Sequence, residues 1–321
     1  MPRITARRLG SGPIIHEGTG PLGGNINGPS LIRAPDWIDR PLGRYYLYFA
    51  HHKGRSIRLA YADAIEGPWR LHLPGALDVS ESLFVSEDVS PDGLSLDGDW
   101  AAKTGGGFLY AHVASPDVLV DEPGERLLMY FHGLLPDGEQ MTRLATSRDG
   151  LSWDVLPPLL GPPYFRVFAW RERWYAICWG GRLLTAERPE GPFTQCPAVI
   201  ARPPLAPEGT TIRHVAASVS GDGLELYYSR IGDTPECILR AWIRLDETVG
   251  RWEVLEGPDI VLTPRETWEG GKLPVITSRA GAADDPEHAL RDPCLYTEGG
   301  GSWLLYSGAG EQAIGLAELS R

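Results

Sequence analysis

The chain has no apolar run approaching the roughly 18 residues that a membrane-crossing helix requires. Arginines stand near its start (MPRITARRLGSG) with no apolar core behind them, so no secretory leader is expected. Its four cysteines, Cys178, Cys196, Cys237 and Cys294, include no CxxC pair, and reduced thiols in a cytoplasmic protein are expected. Positive charge is in deficit: 30 Lys and Arg against 42 Asp and Glu give a net charge of −12. That balance argues against nucleic acid or an anionic membrane as partner. It leaves an anionic small substrate open, because a local Arg/His cluster can sit inside an acidic shell. No HxH or HExxH spacing occurs, and neither GTGPLGGNINGP nor the glycines at 105–107 precede a helix pattern or a GK[ST]. No cofactor is therefore expected, although histidines projecting into one channel leave room for a structural cation.

Turn formers, by contrast, are abundant: 39 Gly and 28 Pro, with 11 Trp, suit many short strands better than helices. In SPDVLVDEPGERLLMYFHG (115–133), two β-rich runs flank an acidic Pro/Gly turn, the pattern of a hairpin. The pattern recurs from Pro29, Tyr164, His214 and Asp292, and five copies imply a repeat architecture. A second repeated element follows the third strand of a unit. EGPW (66–69) returns as DGLSW (149–153), EGPF (190–193) and GRW (250–252), each placing a large aromatic where it can cover a sheet edge.

The second strands end at Phe49, Phe131, Cys178, Tyr228 and Tyr306, 82, 47, 50 and 78 residues apart. Forty-odd residues per four-stranded unit is the length of a propeller blade. The fold expected is all-β, a single five-bladed β-propeller over 1–321 with four-stranded antiparallel blades at about 27–75, 112–158, 163–199, 212–257 and 291–321 plus 1–10. The last blade has no room for a fourth strand, so Ile4 to Arg8 is expected to supply it and close the ring. The two long spacings carry insertions, at about 75–111 and 257–290, expected to wall one end of the axis.

In such a ring, the starts of the inner strands and the loops after the second strands share one mouth. Five of the eight histidines fall in these windows. The candidates gathered there as ligands of a small saccharide are Asn27, His52, His112, His132, Tyr164, Arg166, Trp179, His214, Arg230 and Arg291. Asp117, Asp292, Glu236 and Glu311 are the candidate catalytic carboxylates. Trp179 and Trp268 are candidate stacking platforms.

The segments NGPSLIRAPDWIDRPLGRYYLYFAHHKGRSIRLAYADAIEGPW, ASPDVLVDEPGERLLMYFHG and RDPCLYTEGGGSWLLYSGAGEQAIGLAEL resemble blades of the five-bladed glycoside hydrolases of family 43 and the related furanosidases. The resemblance implies a carbohydrate ligand and a triad of Asp base, orienting Asp and Glu acid at the first three inner strands. Asp117, in SPDV, matches the second. Where the first is expected the chain reads Asn27-Gly28-Pro29-Ser30, and where the third is expected it reads Tyr164-Phe165-Arg166. Neither glycine nor tyrosine replaces a carboxylate in an inverting displacement.

Three readings follow. A glycoside hydrolase would use Asp117 and Asp292 across the channel, with Glu236 or Glu311 as the acid. A lyase on a uronate-containing sugar would use arginines to neutralise the carboxylate while Tyr164, His112 or His214 moved the proton. A non-catalytic propeller would only hold a sugar. The sugar, linkage, stereochemistry and oligomeric state are not fixed by the sequence.

Overall fold

The structure, a computed structural model, describes residues 4–92, 94 and 109–320. Twenty strands form five four-stranded antiparallel sheets. The first strand, β1 (Thr5–Arg8), stands apart from blade one, which comprises β2 (Asn27–Arg33), β3 (Tyr45–Ala50), β4 (Ser56–Ala62) and β5 (Arg70–Asp78). Blade two comprises β6 (Val113–Asp121), β7 (Arg126–Leu134), β8 (Gln140–Ser147) and β9 (Asp154–Val155). Blade three comprises β10 (Arg166–Trp170), β11 (Arg173–Cys178), β12 (Arg182–Ala186) and β13 (Thr194–Gln195). Blade four comprises β14 (Thr211–Ser220), β15 (Gly223–Ile231), β16 (Ile238–Arg244) and β17 (Glu253–Leu262). Blade five comprises β18 (Arg291–Glu298), β19 (Gly301–Gly308), β20 (Ala313–Ser320) and, from the other end of the chain, β1 (Thr5–Arg8).

The ring closes as the length of the last repeat requires, with Thr5 opposite Ser320 and Arg8 opposite Ala317. The closing strand is pinned from outside its sheet. Arg8 donates from Nε and Nη2 to the two carboxylate oxygens of Glu269, at 2.7 and 2.8 Å, and Glu269 also accepts from Tyr306 Oη at 2.7 Å. Backbone N–H groups of Arg265 and Glu266 complete the shell of this fully buried carboxylate.

Alternation along the strands places apolar side chains between blades rather than inside a single central core. Five separate apolar clusters result, one for each blade–blade interface. The repeated aromatics each enter the interface with the preceding blade. Trp153 packs edge-on against Tyr48 of blade one at 5.8 Å between centroids. Phe193 meets Tyr130 of blade two, and Trp252 meets Trp170 and Tyr175 of blade three. Trp69 lies in the cluster shared with blade five. Blade five has β1 in place of this element and, among the described residues, brings no such aromatic to blade four.

The second insertion lies over the axial mouth. Arg213 donates to the carbonyls of Arg279 and Gly281, Asn25 and Gln312 donate to the carbonyl of Ala283, and Lys53 Nζ pairs with Asp284 at 2.9 Å across the rim. Of the first insertion, the described part packs Phe84 edge-on against Phe131 and joins Val89 to Leu109; residues 93 and 95–108, including the glycines at 105–107, lie outside the described residues.

Candidate active site

The inner strands are irregular at the same place, and this aims their side chains at the axis. Register shifts interrupt β2 between Asn27 and Ser30, β6 between Ala114 and Asp117, β14 between Ile212 and Val215, and β18 between Arg291 and Cys294. Such bulges bend a strand and re-aim the residues within it. Gly28, Ser115 and Asp292 occupy them with φ of 60°, 50° and 52°, and Tyr164, just before β10, has φ 69°. Only at Gly28 is the left-handed backbone met by a glycine. A Cβ there would stand 3.3 Å from the Ser115 Cα of the next blade. For the three non-glycine residues the conformation carries a cost on the order of 1–3 kcal/mol each, of the kind that concentrates at functional sites.

The bulged ends enclose an axial cavity of about 230 Å³ lined by Asn27, His52, Ala114, Ser115, His132, Tyr164, His214 and Glu311.

His214 and Asp292 form the most distinctive pair. His214 Nδ1 lies against Asp292 Oδ1 in a very short contact, and both side chains are buried. The other oxygen, Oδ2, accepts from Ser307 Oγ at 2.9 Å and from the backbone N–H of Gly28 at 3.3 Å. Burial by itself would raise the Asp292 pKa, but His214 outweighs it and holds the group below the usual carboxylate range. Burial lowers the His214 pKa, with Asp292 opposing, so the ring is neutral at pH 7. A neutral ring with Nδ1–H directed at a carboxylate presents Nε2 as an acceptor. His214 Nε2 has no hydrogen-bond partner among the described residues.

Aromatic rings complete this wall. The Tyr164 ring stands edge-on to His214 at 4.3 Å and to His132 at 4.6 Å, with Trp179 at 5.5 Å behind it. Burial raises the Tyr164 phenol further above neutrality, so it keeps its proton. His132 is held neutral by burial and by its histidine neighbours. His112 lies behind it, 5.6 Å between rings, with Nδ1 on the Tyr110 carbonyl at 2.6 Å and its pKa brought down by burial to about 4.

The opposite wall is an ionic lattice. Glu311 accepts from Asn25 Nδ2 at 2.7 Å, Asn27 Nδ2 at 3.2 Å and Arg291 Nη1 at 3.3 Å, and His52 Nδ1 lies 3.4 Å away. Burial opposes ionisation of Glu311, yet His52 and the arginines hold its pKa well below the ordinary value. Arg291 also bridges to Glu287 at 2.5 Å and to Glu236 at 3.1 Å. Glu236 in turn accepts from Arg213 Nε at 2.9 Å and from Ser278 Oγ at 2.5 Å.

Of the residues singled out in the sequence, Asn27, His52, His132, Tyr164, His214 and Glu311 line the cavity. Asp292, Arg291, His112, Trp179 and Glu236 stand directly behind them. Asp117 and Arg166 lie further along the channel. Asp117 Oδ2 accepts from the Val167 backbone N–H of the next blade at 2.7 Å, and Arg166 donates to the carbonyls of Ser115 and Phe165. Burial raises the Asp117 pKa against the pull of Arg166 and that N–H. Arg230 is engaged by Asp233 at 2.9 Å and the Leu205 carbonyl, away from the cavity. Trp268 stacks on Tyr306 at 5.9 Å and fills the space above Gly308 and Gly315. Sequence reasoning passed over Asn25, whose Oδ1 accepts from Asn27 Nδ2 and the His52 backbone N–H. Its signal was its place in NINGP, where an asparagine readily takes the left-handed backbone it adopts at φ 55°. Ser115, at the start of the SPDV motif, also lines the cavity. Among the described residues, no group of three or more His, Cys, Asp or Glu side chains is placed to hold a metal ion.

No family model matches the chain. It is 30% identical over 314 residues to the uncharacterized protein R118 of Acanthamoeba polyphaga mimivirus, covering 92% of this chain and 84% of that one. Among solved structures, a thermostable family-43 glycoside hydrolase superposes with a TM-score of 0.57 at 13% identity over 94% of this chain and 90% of its own. A family-43 β-xylosidase/α-arabinofuranosidase from a compost metagenome, in complex with xylotriose, gives 0.59 at 12% over 99% and 96%. A family-43 enzyme of Xanthomonas citri complexed with xylose gives 0.57 at 12% over 98% and 90%. At these identities the likeness is one of fold: the ring is the five-bladed propeller of the family-43 hydrolases.

Proposed function

We propose, from the premise that this chain belongs to one family with the mimivirus protein R118, that it is a glycoside hydrolase whose proton carrier at the axis is a histidine instead of a carboxylic acid. The observation that carries the proposal is His214, a residue lining the cavity: Nδ1 faces a buried aspartate, and Nε2 is without a hydrogen-bond partner among the described residues. Asp292 fixes the tautomer, and Nε2 is the base that accepts a proton from the attacking water. As the water oxygen bonds to the anomeric carbon, the glycosidic C–O bond breaks and the leaving oxygen takes the proton from the His214 imidazolium, while the protonated Tyr164 phenol only donates a hydrogen bond. The histidine thereby returns to its neutral form, with the Tyr164 ring 4.3 Å from its own. The ionised Glu311 supplies negative charge beside the oxocarbenium-like transition state.

The carboxylates are poorly suited to the usual division of labour. Glu311 and Asp292 are held ionised by their neighbours, so neither is a proton donor at neutral pH. The same lattice weighs against elimination from a uronate. Arg213 and Arg291 are engaged by Glu236, Glu287 and Glu311 and offer little to a substrate carboxylate. A neutral pentose-based sugar is the substrate class favoured by the engaged arginines and by the xylose and xylotriose bound in the fold relatives.

The test is a panel of aryl and oligomeric pentosides and hexosides, with uronate oligosaccharides alongside, assayed for new reducing ends and for unsaturated products absorbing in the near ultraviolet. Release of reducing ends that falls about 10²–10⁴-fold in His214→Asn is expected. An unsaturated product would assign elimination instead, and turnover unchanged in His214→Asn would remove the assignment of the base.

A further inference from the structure

We propose that the outer crevice between blades four and five, at the end of the ring away from the axial mouth, is a second saccharide-binding site. The crevice encloses about 510 Å³, more than twice the axial cavity. Its origin is legible in the repeat. Blades one to four each send an aromatic from the corner after the third strand into the interface with the preceding blade: Trp69, Trp153, Phe193 and Trp252. Among the described residues, the corner of blade five between β20 and β1 supplies no such aromatic. The space an indole would fill is bordered there by Leu319, Ser320 and Ile4.

What lines the seat is unlike the four filled interfaces. The cross-strand register puts Ser218, Glu225 and Trp242 in one row across β14, β15 and β16, on the face turned toward blade five. The opposite face of the same blade, with Leu224, Leu226 and Ile243, is buried in the apolar cluster shared with blade three. Blade four is thus apolar on the closed side and hydroxyl-bearing on the open one. The Trp242 indole is held flat across Gly223, where a Cβ would stand 2.0 Å from the ring. The Glu225 carboxylate is fixed by Arg240 Nε at 2.7 Å. Ser220 and, across the crevice, Thr297 add hydroxyls.

A fixed indole beside hydroxyls and a carboxylate suits a ring that is apolar on its face and hydroxylated at its edge, which is the amphipathic surface of a pyranose or furanose unit. Its place away from the axial mouth makes it an anchoring site for a polymer, independent of how the axial site performs its chemistry.

Affinity electrophoresis of the full chain through gels containing xylan, arabinan or polygalacturonate reads binding without turnover. Retardation by a neutral polysaccharide is expected to persist in His214→Asn and to be lost in Trp242→Ala. Ser218→Phe, which fills the crevice while leaving the indole in place, is expected to abolish retardation as well while turnover of a small aryl glycoside stays within about two-fold. Retardation that disappears in His214→Asn and survives both crevice variants would overturn the proposal, as would mobility unaltered in every gel.

Discussion

At the scale of single residues, the axial site is controlled by which groups carry charge at neutral pH. Asp292 raises the His214 pKa against the effect of burial. Replacing it with Asn removes the carboxylate that selects the Nδ1–H tautomer. Asp292→Asn is therefore expected to lower kcat/KM by 10²-fold or more and to move the acid limb of the pH profile to lower pH. A merely structural role for Asp292 would lower activity without moving that limb.

The buried histidines also predict an acid-labile fold. His112 in the folded chain binds its proton only below about pH 4, whereas in the unfolded chain it does so below about 6.5. Between these values the unfolded state holds more protons, so stability is complete above pH 6.5 and is lost as the pH falls toward 4. The loss from His112 alone is on the order of 3 kcal/mol, and His132, shifted the same way, adds to it. Asp292 and Glu311, whose pKa values are depressed, lose their contribution only below the usual carboxylate range. Urea unfolding midpoints across pH 4–7 measure this, and His112→Gln is expected to flatten the slope.

At the scale of elements, the closing strand β1 is held by four paired residues and one buried ionic latch. Glu269 binds Arg8, Tyr306 and two backbone N–H groups at once, and together these outweigh burial to keep its pKa low. Removing one partner of a buried ion pair costs about 3–5 kcal/mol because the other is left uncompensated. Glu269→Ala is expected to lower stability by this amount in equilibrium urea unfolding. Arg7→Ala, whose partner Glu318 lies on the exposed side of the same strand pair, is expected to cost less than about 1 kcal/mol.

At this scale too lies the boundary of sequence reasoning. Strands, blades and ring closure were legible because a four-stranded sheet leaves a fixed imprint: apolar runs, turn residues and an aromatic corner at a steady period. The bulges were not. A bulge inserts one residue without altering the composition around it, and the same run of letters reads equally well as a regular strand. The positions of Ser115, Tyr164 and Asp292 in left-handed backbone are seen only in the fold.

At the scale of the whole molecule, five blades from distant parts of the chain, through inner-strand starts and the ends and loops of second strands, bring His52, His132, Tyr164, His214 and Glu311 to one cavity. The sequence by itself determined that polar side chains would meet at the axis, because repeat length and strand alternation dictate which residues start each inner strand. It also left the strand pattern of Ile4 to Arg8 outside the other four blades, as the partner available to the fifth, where it pairs with β20. Tertiary structure alone decided which ionisable groups neutralise one another. Arg291 could have served a substrate carboxylate until the folded ring set Glu236, Glu287 and Glu311 around it. Pairing depends on separations of a few ångströms across strands dozens to hundreds of residues apart, and no local pattern encodes those separations.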